Sequence, residues 1–316
     1  MTAQTEFLTV AICTYNGASL IPQLIENLDQ LDSPVNFEIL IVDNKSTDDT
    51  RQVIEQLQTR IKTPIRYVLE SRQGIPYARN RAIEESLASS YMAFIDADEL
   101  PDPHWLAAAC RGLRDFDADC VGGKIRLELQ KRPGWLADSL LPFLGQVDHG
   151  DTPLAIVDRS TPVWSGNVAY RTRLFNNGLR FDTRYNRIGK GVGGGSDGIM
   201  FRVLLKQKTT MRYEPDMSIV HLIPEEKLKR RYFLRLHYIA GRKAGMFEIG
   251  VPQGNTIFGA PRFMYSQLAG KLVKAAKLFV TRHPEYMREA MNLSYHIGNM
   301  KGLYNQSKLE TKQSHV

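Results

Sequence analysis

The order of apolar runs between residues 7 and 95 constrains this chain more than any other feature. Residues 7–13 (FLTVAIC), 37–42 (FEILIV), 65–69 (IRYVL) and 91–95 (YMAFI) are short, apolar and rich in β-formers, so each reads as a buried strand. Helical patterns separate them. Ser19 is expected to cap a helix running to about Leu31. Ser46 or Thr47 is expected to cap a second, with Asp48 and Asp49 in its first turn, where the helix dipole favours acids. Pro76 suits the first turn of a third, running to about Ala88. A β-α-β-α-β-α-β order predicts an α/β fold: a mainly parallel central sheet flanked by helices.

Such sheets bind ligands outside the carboxyl ends of their strands. Three strand ends here carry polar residues: Thr14-Tyr15-Asn16, Asp43-Asn44 and Asp96-Ala97-Asp98. One acid alone could simply start a turn or cap a helix. Three agreeing strand ends predict a shared crevice. In an extended segment Asp96 and Asp98 would point the same way. Two carboxylates there make a hard oxygen site suited to Mg²⁺ or Mn²⁺, and a metal on a diphosphate would neutralise its charge as it leaves.

Beyond Asp119 the pattern loosens. Residues 119–129 read as a strand, 130–162 as a long irregular stretch, 163–170 as a strand, and Ser196 to about Gln207 as a helix. Short strands are expected over 209–222, and helices from Pro224 onward. The glycine-rich run Gly189 to Gly195 contains a formal G-x-G-x-x-G. It lacks the preceding buried strand of a dinucleotide fingerprint, so it reads as a loop able to move over donor or acceptor. The Walker phosphate-loop pattern is absent.

The set TVAICTYNG, ILIVDNKSTDDT, GIPYARNRAIEES and YMAFIDADELPDP resembles, in order and spacing, the N-terminal half of family 2 glycosyltransferases. Looser likeness continues over 119–245. The resemblance implies the GT-A fold and a metal-dependent, inverting transfer from a nucleoside-diphosphate sugar to an acceptor hydroxyl, UDP-sugars being favoured. It implies that Thr14, Tyr15, Asn16, Asp43, Arg72, Arg79 and Asp96 bind the donor. Asp98 would bind donor and metal (Mn²⁺ or Mg²⁺), and His221 would be a further metal ligand or else a structural histidine. Asp197 is the implied catalytic base, although Ser196 stands where the family carries a first acid. Trp164, Asn167 and Ser196 are candidates for the acceptor or donor sugar. Trp135 could stack on a sugar face; core packing serves both tryptophans equally well.

Charge divides the chain. Residues 221–316 hold 16 Lys and Arg against 6 Asp and Glu, while the preceding residues hold 25 against 28. The expected organisation is a glycosyltransferase domain over 1–222, split at 118/119 into nucleotide-binding and acceptor halves, and a basic helical region over 223–316. Lys271, Lys274 and Lys277 fall on one side of a helix, with Leu272, Val273, Ala276, Phe279 and Val280 mostly on the other. That pattern fits either an anionic membrane surface or a helix packed on the domain with its basic face solvated. No recognition module for nucleic acid is present.

Met1 to Glu6 are polar with no apolar cleavage segment behind them, no run of about 20 apolar residues exists, and the three cysteines lack metal spacing. The expected setting is the cytoplasm, peripheral on the inner face of the cell membrane, with a saccharide or lipid-linked acceptor in polysaccharide or glycolipid synthesis. Two other readings remain: a sugar nucleotidyltransferase, which would carry a basic Gly-rich loop where TYNGAS stands, and a non-catalytic nucleotide-sugar-binding protein.

Overall fold

A computed structural model describes residues 6–187, 191–250, 252 and 254–313. The first elements alternate: β1 (Phe7–Thr14), α1 (Ile21–Leu28), β2 (Asn36–Asp43), α2 (Thr50–Arg60), β3 (Ile65–Leu69), α3 (Ile75–Ser86) and β4 (Tyr91–Ile95). They continue through β5 (Glu99–Pro101), α4 (Trp105–Cys110), β6 (Cys120–Leu129), β7 (Leu154–Ala155), β8 (Asn167–Arg171), α5 (Ser196–Lys206) and β9 (Met211–Ile223). The main sheet runs in the order β3-β2-β1-β4-β8-β6-β9-β5, with β7 beside β9. Pairing is parallel from β3 to β4. Beyond β4 it is mixed, because β8 enters antiparallel to both β4 and β6.

The parallel part forms as its composition dictates. β1 is buried from Leu8 to Thr14 and β4 throughout, as strands covered by helices on both faces must be. α1 buries Ile21, Leu24, Ile25 and Leu28, one stripe at helical spacing. Its start differs from expectation: Leu20 occupies the cap position and Ser19 makes no cap. α2 likewise begins at Thr50 rather than beside Ser46 or Thr47, whose side chains are drawn to the loop after β1.

Where short strands were expected over 209–222, a single strand, β9 (Met211–Ile223), forms. Its parallel register with β6 jumps from Gly123↔Glu214 to Ile125↔Ile219. Pro215 lies in that jump and has no N–H to give the ladder. Gly123 permits the irregularity, since a side chain there would collide with the Met217 carbonyl. A turn over 164–167, closed by the Asn167 N–H on the Trp164 carbonyl (2.9 Å), makes β8 start later than expected.

The chain divides into two compact units. The first comprises Met1–Leu129, Leu144–Lys190 and Gly195–Ile223; the second comprises Gln130–Phe143, Gly191–Gly194 and Pro224–Val316. Within the second lie α6 (Arg230–Phe247), the short hairpin β10 (Thr256–Ile257) and β11 (Ala260–Pro261), α7 (Arg262–Val280) and α8 (Tyr286–Gln313). α6 and α8 meet backbone to backbone. Gly241 and Gly245 lie against carbonyls of Tyr295 and Asn299, and Gly298 and Gly302 against those of Tyr238 and Arg242. Trp135 belongs to this unit, edge-on to Phe233 with the Arg230 guanidinium 5.6 Å from its ring centre. No described helix is long and apolar enough to cross a membrane.

Candidate active site

Parallel register brings the predicted residues to one edge. Thr14 and Asp43 end adjacent strands as direct partners, and β4 ends one residue before Asp96. Thr14 is buried, and its hydroxyl has no hydrogen-bond partner among the described residues. A buried polar atom left so is costly unless something else supplies its partner. Asn16 has a left-handed φ of 54°, a conformation asparagine tolerates. Its N–H donates to the Ser46 hydroxyl (2.9 Å), and its side-chain oxygen accepts from the Thr47 N–H (2.8 Å). These bonds tie the loops after β1 and β2 together. Tyr15, in the first of these loops, is half-buried.

Asp43 is buried and accepts from the Ser46 N–H (2.9 Å) and the Tyr67 hydroxyl (2.8 Å). Burial, reinforced by this carboxylate, pushes the Tyr67 phenol up to about 12, so it stays a donor. Asn44 fixes the next loop: its amide donates to the Arg72 carbonyl (2.8 Å) and accepts from the Gly74 N–H (2.5 Å). Gly74 in turn starts α3.

α3 delivers the central cation. Arg79 is 3% exposed, and one guanidinium nitrogen bonds Asp197 while another lies 3.3 Å from Asp96. Both carboxylates are about one third exposed, at 36% for Asp96 and 32% for Asp197. Burial opposes the charge on Arg79, but Asp197 and then Asp96 outweigh it and raise its pKa, so the arginine stays ionised. Asp197 sits in the first turn of α5. The cap there is Gly195, at φ 98°, rather than Ser196, which is buried as the first helical residue.

Asp96 to Asp98 depart from the extended geometry expected of them. The Glu99 N–H bonds the Asp96 carbonyl (3.1 Å), closing a tight turn. The two carboxylates therefore diverge, Asp96 towards Arg79 and Asp98 towards His221. β5 pairs with β9 in the register Glu99↔His221. That pairing sets His221 Nε2 at 3.3 Å from Asp98 Oδ2.

Glu99 was missed by sequence reasoning. It is buried, accepts from the Asp96 N–H (2.8 Å), and has its pKa raised by burial and by the charges of Asp96 and Asp98. Its only signal was an acid directly after D-x-D, which does not distinguish an inward side chain from an outward one.

Two candidates are engaged by neighbouring protein groups. Asn167 is fully buried. Its amide oxygen accepts from the Trp105 indole (2.7 Å), and its amide nitrogen donates to the carbonyls of Lys124 (3.0 Å) and Met217 (2.8 Å). It cross-links β8, α4 and the break in β9, leaving no amide group for a sugar. Arg72, with its side chain 62% exposed, is bonded twice by Glu70, at 2.9 Å each, and lies over Tyr77. Trp164 is partly buried against the main core. Of the glycine run, Gly189 and Lys190 lie outside the described residues.

A metal can be tested against the donor set. Two ligands at right angles on one small cation, each about 2.1 Å from it, lie about 3.0 Å apart. Asp98 and His221, at 3.3 Å, fit that pairing. No cluster of three or more His, Cys, Asp or Glu converges among the described residues, so phosphate oxygens and water would have to complete the shell.

The family model for glycosyl transferase family 2 matches residues 9–190, more than half the chain. This chain belongs to that family. Among relatives, the glycosyltransferase AglE of Haloferax volcanii is 31% identical over 126 residues, covering 40% of this chain and 41% of the relative. The succinoglycan biosynthesis protein ExoM of Rhizobium meliloti is 22% identical over 254 residues, covering 78% and 76%. The match therefore spans about two fifths of AglE and three quarters of ExoM.

Two solved structures share the fold. The mannosyltransferase PcManGT of Pyrobaculum calidifontis, in complex with GDP-Man and Mn²⁺, is 18% identical with a TM-score of 0.62, over 95% of this chain and 87% of that one. TarS residues 1–349 of Staphylococcus aureus, in complex with UDP, is 16% identical with a TM-score of 0.56, over 96% and 92%. The family 2 member described here thus has the GT-A α/β architecture.

Proposed function

We propose that this family 2 protein transfers a sugar from a nucleoside-diphosphate sugar to an acceptor hydroxyl, with inversion. The observation that carries the reading is Arg79, a buried cation bonded to Asp197 and next to Asp96. It joins the donor edge of the sheet to the proposed base. Thr14, Tyr15, Asn16 and Asp43 bind the base and ribose, the orphan Thr14 hydroxyl finding its partner there. Asp96 meets the ribose. Asp98 and His221 would hold Mn²⁺ or Mg²⁺, which when bound screens the charge of the diphosphate.

Asp197 has Oδ1 engaged by Arg79, which leaves Oδ2 to take the acceptor proton. The acceptor oxygen bonds the anomeric carbon as the bond from that carbon to the diphosphate oxygen breaks. The nucleoside diphosphate departs with the electron pair. Because Arg79 fixes the carboxylate before substrate arrives, little reorganisation is needed at the moment of transfer.

UDP-sugars are the favoured donors. TarS, a poly(ribitol-phosphate) β-N-acetylglucosaminyltransferase, is seen with UDP and UDP-GlcNAc, whereas PcManGT is seen with GDP-Man. The acceptor is a saccharide or lipid-linked saccharide of polysaccharide or glycolipid synthesis, handled by a protein peripheral on the inner face of the membrane. Trp164 and Ser196 stay in the proposed sugar-binding set; Asn167 does not. The test is release of nucleoside diphosphate from a panel of UDP-, GDP- and dTDP-sugars with Mn²⁺ and a mixed glycan acceptor. Acceptor-dependent release from one donor is expected. Pyrophosphate formed from nucleoside triphosphate and sugar phosphate would instead assign the chain to the nucleotidyltransferases.

A further inference from the structure

Helix α7 carries apolar side chains on two sides, and only one of them is packed. Its buried positions are Met264 and Ala275, with Leu268, Lys271 and Leu278 half-buried on the same side. Lys274 is bonded across to Glu289 of α8 (2.8 Å). The large apolar residues face outward: Leu272 is 49% exposed, Val273 70%, Phe279 61% and Val280 79%. At about 100° per residue, these four with Ala269 and Ala276 fill a continuous arc of about 120°. A helix that merely packed on its domain would bury this arc and solvate the lysines. Here Lys274 and Lys277 are solvated, a smaller stripe with Met264 and Ala275 is what packs, and the larger apolar arc is left uncovered.

The charge around the arc selects its occupant. Arg262–Val280 contains no acidic residue, Lys277 borders the arc, and Arg282 and His283 follow the helix. Just before α7, Phe258 at the hairpin tip is 77% exposed. Apart from Glu285 in the following turn and Glu289 paired with Lys274, the charged residues of α7 and its flanks are cationic, an excess that a protein partner of mixed charge would not match. An anionic lipid surface satisfies both features at once, taking the apolar arc below its headgroups and the cations at their level.

We infer that the outward face of α7 docks this protein on anionic membrane, through insertion of Val273, Val280, Leu272 and Phe279. The inference deepens the peripheral location proposed above and rests on it. It sets the face, the lipid charge and the side chains, and α7 lies in the interface plane rather than across the bilayer.

The test is sedimentation of the full chain with vesicles of phosphatidylcholine alone or mixed with phosphatidylglycerol. Binding is expected only with the mixed vesicles, weakening as salt is added. The double variant Val273→Glu, Val280→Glu should weaken it by about thirtyfold or more, since each acid adds one repelled charge at the surface. Lys277→Gln should weaken it about fivefold. Both positions of the double variant are exposed, so its circular dichroism and melting should match the parent. Equal binding to both vesicle types, or unchanged binding by the double variant, would overturn the inference. So would a dimer in light scattering that Val273→Glu splits, which would give the arc to a second copy. A donor-induced thermal shift measured on the same samples belongs to the first unit, so its presence or absence judges the transfer reading separately from docking.

Discussion

The carboxyl edge of the sheet and the outer face of α7 dispose of charge in opposite ways. At the sheet edge a cation is buried, and two part-exposed carboxylates hold it in place. On α7 the cations stay at the surface and apolar side chains accompany them. A buried charge is tolerated only with partners in good geometry, which makes the first region stiff and intolerant of change. The second tolerates substitution in the free protein and should reveal its purpose only when a surface is offered.

The largest difference should appear in turnover. Asp197→Asn is expected to lower sugar transfer by about 10²–10⁴-fold, the usual worth of a positioned proton acceptor. Donor affinity, read by titration calorimetry, should survive. Retained turnover would remove the base from the sheet edge and leave Arg79 a purely structural ion. Arg79→Met should come next, costing about 3 kcal/mol of unfolding free energy in urea, because two acids lose the ion that held them. A cost below about 1 kcal/mol would mean that the edge is no stiffer than the surface.

Asn167→Ala follows. It strips a partner from the buried Trp105 indole and from two carbonyls, so about 1–3 kcal/mol of stability should go, with donor affinity unchanged. Loss of affinity without loss of stability would return Asn167 to the sugar site. Val273→Ser on α7 should move stability by no more than about 0.5 kcal/mol in the free protein.

The smallest effect concerns Arg72, charged and exposed like the lysines of α7 yet part of the first unit. It is the main cause holding the Glu70 carboxyl below its ordinary pKa. A depressed carboxyl stabilises the fold above its unfolded value and loses that contribution as pH falls through the folded value. Arg72→Gln should therefore be slightly less stable than the parent at neutral pH, and the gap should close below about pH 4, when melting is followed across pH. A gap that widens in acid would contradict the pairing.

Much of the parallel half was legible because buried parallel strands leave a plain record: apolar runs of four to eight residues ending in polar ones. Thr14, Asp43 and Asp96 could be aligned on one edge from that alone. The details that failed depend on contacts between distant segments. Whether Asp96 to Asp98 stay extended depends on the turn closed by Glu99, and the neighbour of Asp98 depends on the register of β5 with β9. Asn167 was a candidate because the stretch from Trp164 lies before Asp197 in the chain; its partner Trp105, 62 residues away, was not visible there. On α7 the periodicity was readable. Which side would face outward was not, since that depended on which stripe packs inward, and Met264 and Ala275 are the buried positions.

The most direct test of the central claim is a thermal-shift series with UDP, GDP, dTDP and CMP, each with and without Mn²⁺, on the parent and on Asp98→Ala. Saturating one nucleotide at about 100 times its dissociation constant should stabilise the fold by about 2.7 kcal/mol, a rise of several degrees. A rise with a single diphosphate that disappears without Mn²⁺, or in Asp98→Ala, is the predicted result. The same rise with and without Mn²⁺, unaltered in Asp98→Ala, or no rise with any nucleotide, would contradict the account of the sheet edge as a metal-assisted donor site.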